Sequence, residues 1–132
     1  MFLETSCLVA IVVNEADAAD ISGRLQRAHH AITAPHVLLE TVMALSTRKK
    51  LTPSEVLGAI EDILAEANVE IVPLTAEIAR AAIGAFARYG KGRGHASQLN
   101  FGDCLSYGCA RVHGAPMLFK GEDFAQTDIA RV

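Results

Sequence analysis

Four carboxylates stand where their neighbours make an ordinary surface role expensive or place them at the end of an element: Glu4, Glu40, Asp103 and Asp123. Glu4 follows Met1-Phe2-Leu3, an apolar run that breaks into Glu4-Thr5-Ser6 and reads as a short buried strand carrying an acid at its carboxyl end. Glu40 is the only Asp, Glu, Lys or Arg between Arg27 and Arg48, inside a run of Val37, Leu38, Leu39, Thr41, Val42, Met43, Ala44 and Leu45. Leaving such an acid ionised in a dry interior costs on the order of tens of kcal/mol, so it is neutralised, paired or bound to a cation. An ion pair with Arg48 is one solution; ligation of a metal at the edge of a pocket is the preferred one. Asp103 stands three residues after Asn100, in the first turn of a helix, where it serves as a cap, a site residue or both. Asp123 follows Met117-Leu118-Phe119, a short strand stopped by Lys120-Gly121-Glu122.

In an open parallel sheet, a residue just past a strand and one in the first turn of a neighbouring helix reach the same edge, where ligands bind. Asp103 and Asp123 are therefore expected to meet, with Glu4 beside them. Carboxylates gathered in this way repel until a divalent cation compensates them. Thr5 and Ser6 are supporting hydroxyls for ligands or water, and Asp128 is a second-rank acid. The segment Arg88-Tyr89-Gly90-Lys91-Gly92-Arg93-Gly94-His95 alternates glycine with cations just before the Asp103 helix. Lys91 and Arg93 either engage the phosphates of an anionic substrate or belong to a solvated loop.

The elements that must position these groups follow from the apolar pattern. A chain of 132 residues is one domain by length, residues 1–132. It is 51% hydrophobic but only 5% aromatic, so Ala, Val, Leu and Ile must build the core, as in helices packed on a parallel sheet. The expected order is β-α-α-β-α-α-β-α-α-β-α with a short terminal segment. Thr5 or Ser6 is expected to cap a helix over 7–13, and a second helix to run from Asn14 to about Ala28. Strands are expected at 31–34 and 69–72. Helices are expected at 35–48, apolar nearly all round and thus buried, at 53–67, at 75–89 with Ile78, Ala79, Ala82, Ile83 and Phe86 inward, and at 101–113. Arg48-Lys49-Lys50 reads as a solvated helix end.

The formal net charge of −3 provides no global basic field, so nucleic acid binding would need local cations. Three cysteines cannot all pair within one chain and form no Cys-x-x-Cys motif, which points to a reduced, cytoplasmic protein. The apolar run at 7–13 is too short to span a membrane.

Glu4-Thr5-Ser6 after the first strand, Glu40 in an apolar helix, Asn-Phe-Gly-Asp103 and Leu-Phe-Lys-Gly-Glu-Asp123-Phe together resemble the PIN-domain family over the whole chain. Within it, the chain is most similar to the VapC-type toxin ribonucleases of type II toxin-antitoxin systems. The resemblance implies a three-layer α/β/α sandwich around a mostly parallel, four- to five-stranded sheet. It also implies RNA cleavage with Mg²⁺, or Mn²⁺, held by Glu4, Glu40, Asp103 and Asp123. A homodimer and a cognate VapB-like antitoxin are the implied partners. One position departs from the family pattern: the first strand usually ends in Asp-x-Ser, and here it ends in Glu4-Thr5-Ser6. The extra methylene bears on Mg²⁺, which demands near-ideal octahedral geometry. Two rival readings follow, a catalytically weakened PIN domain that binds an antitoxin and regulates its own promoter, and, more remotely, a phosphoryl-receiver domain. Against the second, this chain lacks the adjacent acidic pair that receiver domains carry after the first strand.

Overall fold

Phe2 and Leu3 form β1, the strand from which the rest of the sheet is laid out in both directions. In the computed structural model, which describes residues 1–48 and 50–132, α1 (Thr5–Val12) and α2 (Ala18–Arg27) lead to β2 (Ala31–Thr33). Then α3 (Pro35–Arg48) and α4 (Pro53–Glu66) lead to β3 (Val69–Ile71), and α5 (Ala76–Tyr89) and α6 (Phe101–Val112) to β4 (Met117–Leu118). Lys49, the middle of the expected basic cluster, lies outside the described residues.

The four strands are all parallel, in the order β3-β2-β1-β4, with Phe2 opposite both Ile32 and Met117. Successive residues of a strand face opposite sides of a sheet. Phe2 and Leu3 are both fully buried, so helices cover both faces and the architecture is α/β/α. The chain lays β2 and β3 on one side of β1, and α5 and α6 then carry it back to the other side for β4. That reversal opens a crevice at the carboxyl ends of β1 and β4, the usual place for a ligand in such sheets.

Local chemistry sets the helix starts. Pro35 and Pro53 occupy first helical positions, where a missing N–H costs nothing. Thr52 and Glu55 form a reciprocal capping box, and Thr75 Oγ1 accepts from the Ile78 N–H at 3.2 Å. Below them lies one contiguous apolar core, including Phe2, Leu3, Leu8, Val37, Ile60, Ile78, Leu99 and Met117.

Several expectations need correction. The first helix starts at Thr5, and Glu4 rather than Thr5 or Ser6 is its cap. The second starts at Ala18, because Asn14 takes a left-handed conformation, φ 54°, that a helix does not tolerate. No helix follows β4; residues 121–128 form bends and turns, and the chain beyond them adds one parallel bridge, Arg131 to Met117. α3 is not buried all round: Val37, Thr41 and Leu45 face the core, while Leu39 and Met43 are each 60% exposed. α5 is likewise rotated from expectation, with Ile78, Ala82, Ala85 and Tyr89 inward and Ala79, Ile83 and Phe86 outward.

Candidate active site

Glu4 leaves β1 in an extended conformation and caps α1 with its own side chain. Its Oε2 accepts from the Ser6 N–H at 2.8 Å and from the Ser6 hydroxyl. The same Ser6 oxygen accepts from the Lys120 N–H at 2.8 Å, so it stitches the start of α1 to the end of β4 across the crevice. Thr5 Oγ1 donates to Glu40 Oε1 at 2.8 Å, which brings the acid of α3 beside that of β1. Glu40 in turn lies against the first turn of α6. A Cβ at Gly102 would stand 2.0 Å from Glu40 Oε2, so only glycine leaves room for the carboxylate there. Asp103 follows directly, and its Oδ2 accepts from the Asn100 N–H at 3.0 Å while Asn100 Oδ1 accepts from the Asp103 N–H at 2.9 Å.

A pattern runs through the three inner acids. Glu4 Oε2, Glu40 Oε1 and Asp103 Oδ2 are each held by a helix start or a neighbouring hydroxyl, and the second oxygen of each has no protein hydrogen bond among the described residues. The fold bonds one oxygen of each acid; the second oxygen of Glu40 rests against Gly102.

The charges of these groups act on one another. Glu4 is 6% exposed; burial, with the charges of Asp103 and Glu40 behind it, pushes its carboxyl up to about 7, against the downward pull of the Ser6 hydrogen bonds. Asp103, 8% exposed, is raised to about 6, chiefly by burial and further by Asp123 and Glu40. Burial also raises Glu40, opposed by the Thr5 hydroxyl. Asp123 is exposed on the turn after β4 and acts on Asp103 through its charge. The cation that ends β4 does not relieve them, because Lys120 turns to Glu15 and to Asp17, 2.9 Å away.

The donor set is carboxylate oxygen alone, the chemistry that hard cations such as Mg²⁺ and Mn²⁺ select. Among the described residues, no three His, Cys, Asp or Glu side chains are gathered tightly enough to enclose an ion. The acids form an open rim, and their uncommitted oxygens would have to close on a cation from separate elements.

The remaining candidates divide. Asp128 is engaged elsewhere: it accepts from the Tyr107 hydroxyl at 2.6 Å and faces Arg88 and Arg111 at 3.6 and 3.7 Å. Glu40 takes Thr5 as its partner rather than Arg48. Lys91 and Arg93 are exposed on a loop whose base is closed by hydrogen bonds between Lys91 and Leu99 and between Leu99 and Tyr89, with Arg93 over the Phe86 ring. Gly92 and Gly94 supply that loop's left-handed turns.

The family model of the PIN domain matches residues 1–130. The chain belongs to the PIN-domain family. Ribonuclease VapC30 of Mycobacterium tuberculosis is 41% identical over 133 residues, covering 100% of this chain and 98% of that protein. Ribonuclease VapC of Mycolicibacterium smegmatis is also 41% identical over 133 residues, covering 100% and 99%. The crystal structure of Mycobacterium tuberculosis VapC20, described as a Sarcin-Ricin loop cleaving toxin, aligns with a TM-score of 0.75 at 22% identity over 99% of this chain and 97% of that one. At that identity the likeness speaks for the fold.

The PIN domain also holds buried polar groups that no sequence motif marks. His36 stands one turn before Glu40 on α3 and is buried, its Nε2 2.8 Å from Ser106 Oγ on α6. Burial pulls its imidazole down to about 4, so it is neutral near pH 7. The available signal was its i, i+4 spacing from Glu40, which meant little until the facing helix was known.

Proposed function

We propose that this PIN domain is a metal-dependent endoribonuclease, the toxin of a VapBC-type toxin-antitoxin pair, acting on RNA in the cytoplasm. The observation that carries the reading is the convergence of Glu4, Glu40 and Asp103 on one crevice, each with an oxygen to spare and each raised by burial. Relatives of matching length named VapC ribonucleases support the activity, and their name supports a VapB-like antitoxin as partner.

In this reading Glu4, Asp103 and Asp123 hold Mg²⁺, or Mn²⁺, with Glu40 acting directly or through water. When bound, such an ion would lower the pKa of a water and offset charge on a phosphodiester. Ser6 fixes the Glu4 carboxylate, Thr5 fixes that of Glu40, and the Asn100 N–H fixes that of Asp103. Lys91 and Arg93 extend the site toward the phosphates of an RNA. Single-stranded loops are the favoured substrate, because their bases are splayed and accessible. RNA cleavage by the purified protein should stop on addition of EDTA, return with Mg²⁺ or Mn²⁺, and fall at least about 100-fold in Asp103→Asn. Cleavage indifferent to EDTA and to that substitution would overturn the proposal.

The open rim and the longer Glu4 favour one alternative, a weakened nuclease that acts mainly by binding its antitoxin and regulating its own promoter. Metal-dependent turnover by the isolated protein separates the two. We also propose a homodimer, formed through the exposed apolar side chains Ile83, Phe86 and Phe101 of α5 and α6.

A further inference from the structure

The imidazole of His36 lies at the junction of the three elements that carry the inner acids. Its own helix, α3, bears Glu40. Its Nε2 meets Ser106 Oγ of α6, which bears Asp103, at 2.8 Å. Its ring stacks on Phe2 of β1, two residues before Glu4, with centroids 6.5 Å apart and planes 15° from parallel.

α3 and α6 cross as an antiparallel pair with two rungs. In one, His36 faces Ser106; in the other, Glu40 lies on Gly102. The rungs are four residues apart on each helix, about one turn and roughly 6 Å. The second rung holds a carboxylate pressed on bare backbone, so a small slide of either helix would move Glu40 relative to Asp103. An apolar contact resists such a slide weakly, whereas a hydrogen bond fixes both distance and direction. The polar choice is costly, since His36 Nδ1 is buried without a hydrogen-bond partner among the described residues. Two apolar side chains of similar shape would fill the junction at little or no loss of stability.

We propose that His36 and Ser106 are positioning residues, a strut between α3 and α6 that sets the span across which Glu40 and Asp103 face a common divalent ion. The proposal rests on the nuclease reading. It deepens that reading by naming groups that touch neither ion nor substrate.

The test uses the double variant H36F/S106A, which removes both polar partners and keeps the ring on Phe2. It is compared with wild type for thermal stability, for Mn²⁺ affinity by electron paramagnetic resonance, and for kcat and KM on a single-stranded RNA. The expected result is a melting temperature close to wild type, a Kd for Mn²⁺ raised about tenfold or more, and a kcat reduced similarly with KM little changed. Wild-type affinity and kcat in the double variant would overturn the strut while leaving the nuclease intact. A wild-type protein that neither binds Mn²⁺ nor cuts RNA would overturn both. Should the double variant not fold, H36Q and H36N decide instead. The Gln amide reaches the position of Nε2 and should keep wild-type Mn²⁺ affinity, whereas the Asn amide falls short and should lose it; equal affinities would overturn the strut.

Discussion

Glu4 does two things with one side chain: its Oε2 caps α1, and its charge joins the crevice. Without a cation the second role is unfavourable. The carboxyl rises from 4.5 in the unfolded chain to about 7 in the fold, so between those values the native state binds more protons than the unfolded one. Its contribution to stability is complete below about pH 4.5 and is lost as pH rises through about 7, the penalty approaching roughly 3 kcal/mol on the alkaline side. His36 has the opposite sign, since its depressed pKa removes stability as pH falls from 6.5 toward about 4. In EDTA, Glu4→Gln should therefore melt above wild type on the alkaline side of pH 7 and converge with it below pH 4.5. In excess Mn²⁺ the order should reverse, because wild type, with one more ligand, gains more from the ion. Parallel melting curves at every pH would show that the charge of Glu4 is not what burial makes it. Glu40 was legible as an anomaly because an acid alone in an apolar run has few uses. The capping role of Glu4 was not, because Ser, Thr, Asp and Asn are the usual caps and two of them follow it directly.

At the scale of elements, the first turn of α6 concentrates most of the sequence-level signal. Asn100-x-x-Asp103 forms the capping box its spacing suggests, and Asp103 reaches the crevice as well. Gly102 between them had no such signal, since a helical glycine is normally a mild defect of about 1 kcal/mol against alanine. Here the missing Cβ is the floor on which Glu40 rests. Gly102→Ala should keep or slightly raise thermal stability, because the far end of a flexible side chain can swing away and alanine favours helix. It should also weaken Mn²⁺ binding about tenfold as Glu40 is displaced. Unchanged Mn²⁺ affinity would place Glu40 outside the ion's reach. The strands and most helices were readable from apolar spacing and capping residues. The inward faces of α3 and α5 were not, because an apolar pattern tells which residues leave water and not which surface covers them.

That ambiguity becomes a property of the whole molecule. Ile83 and Phe86 on α5 and Phe101, 83% exposed at the start of α6, line one apolar face, and Leu39 and Met43 are exposed on α3. Patches of this kind mark interfaces in soluble proteins. Ile83→Glu should convert a homodimer to a monomer in size-exclusion chromatography with light scattering, with no change in the melting temperature of the isolated fold. A wild-type protein that is monomeric at micromolar concentration would remove the basis for that prediction. The sheet order has its own implication for synthesis. Both partners of β1 come from later in the chain, and the stitch from Ser6 to Lys120 closes only after β4 has docked. A nascent chain, which folds from its amino end as it emerges, therefore has no assembled pocket until residues 117–123 have left the ribosome. Burial of Glu4 and closure of its crevice are thus late events, tied to the docking of the last strand of the sheet.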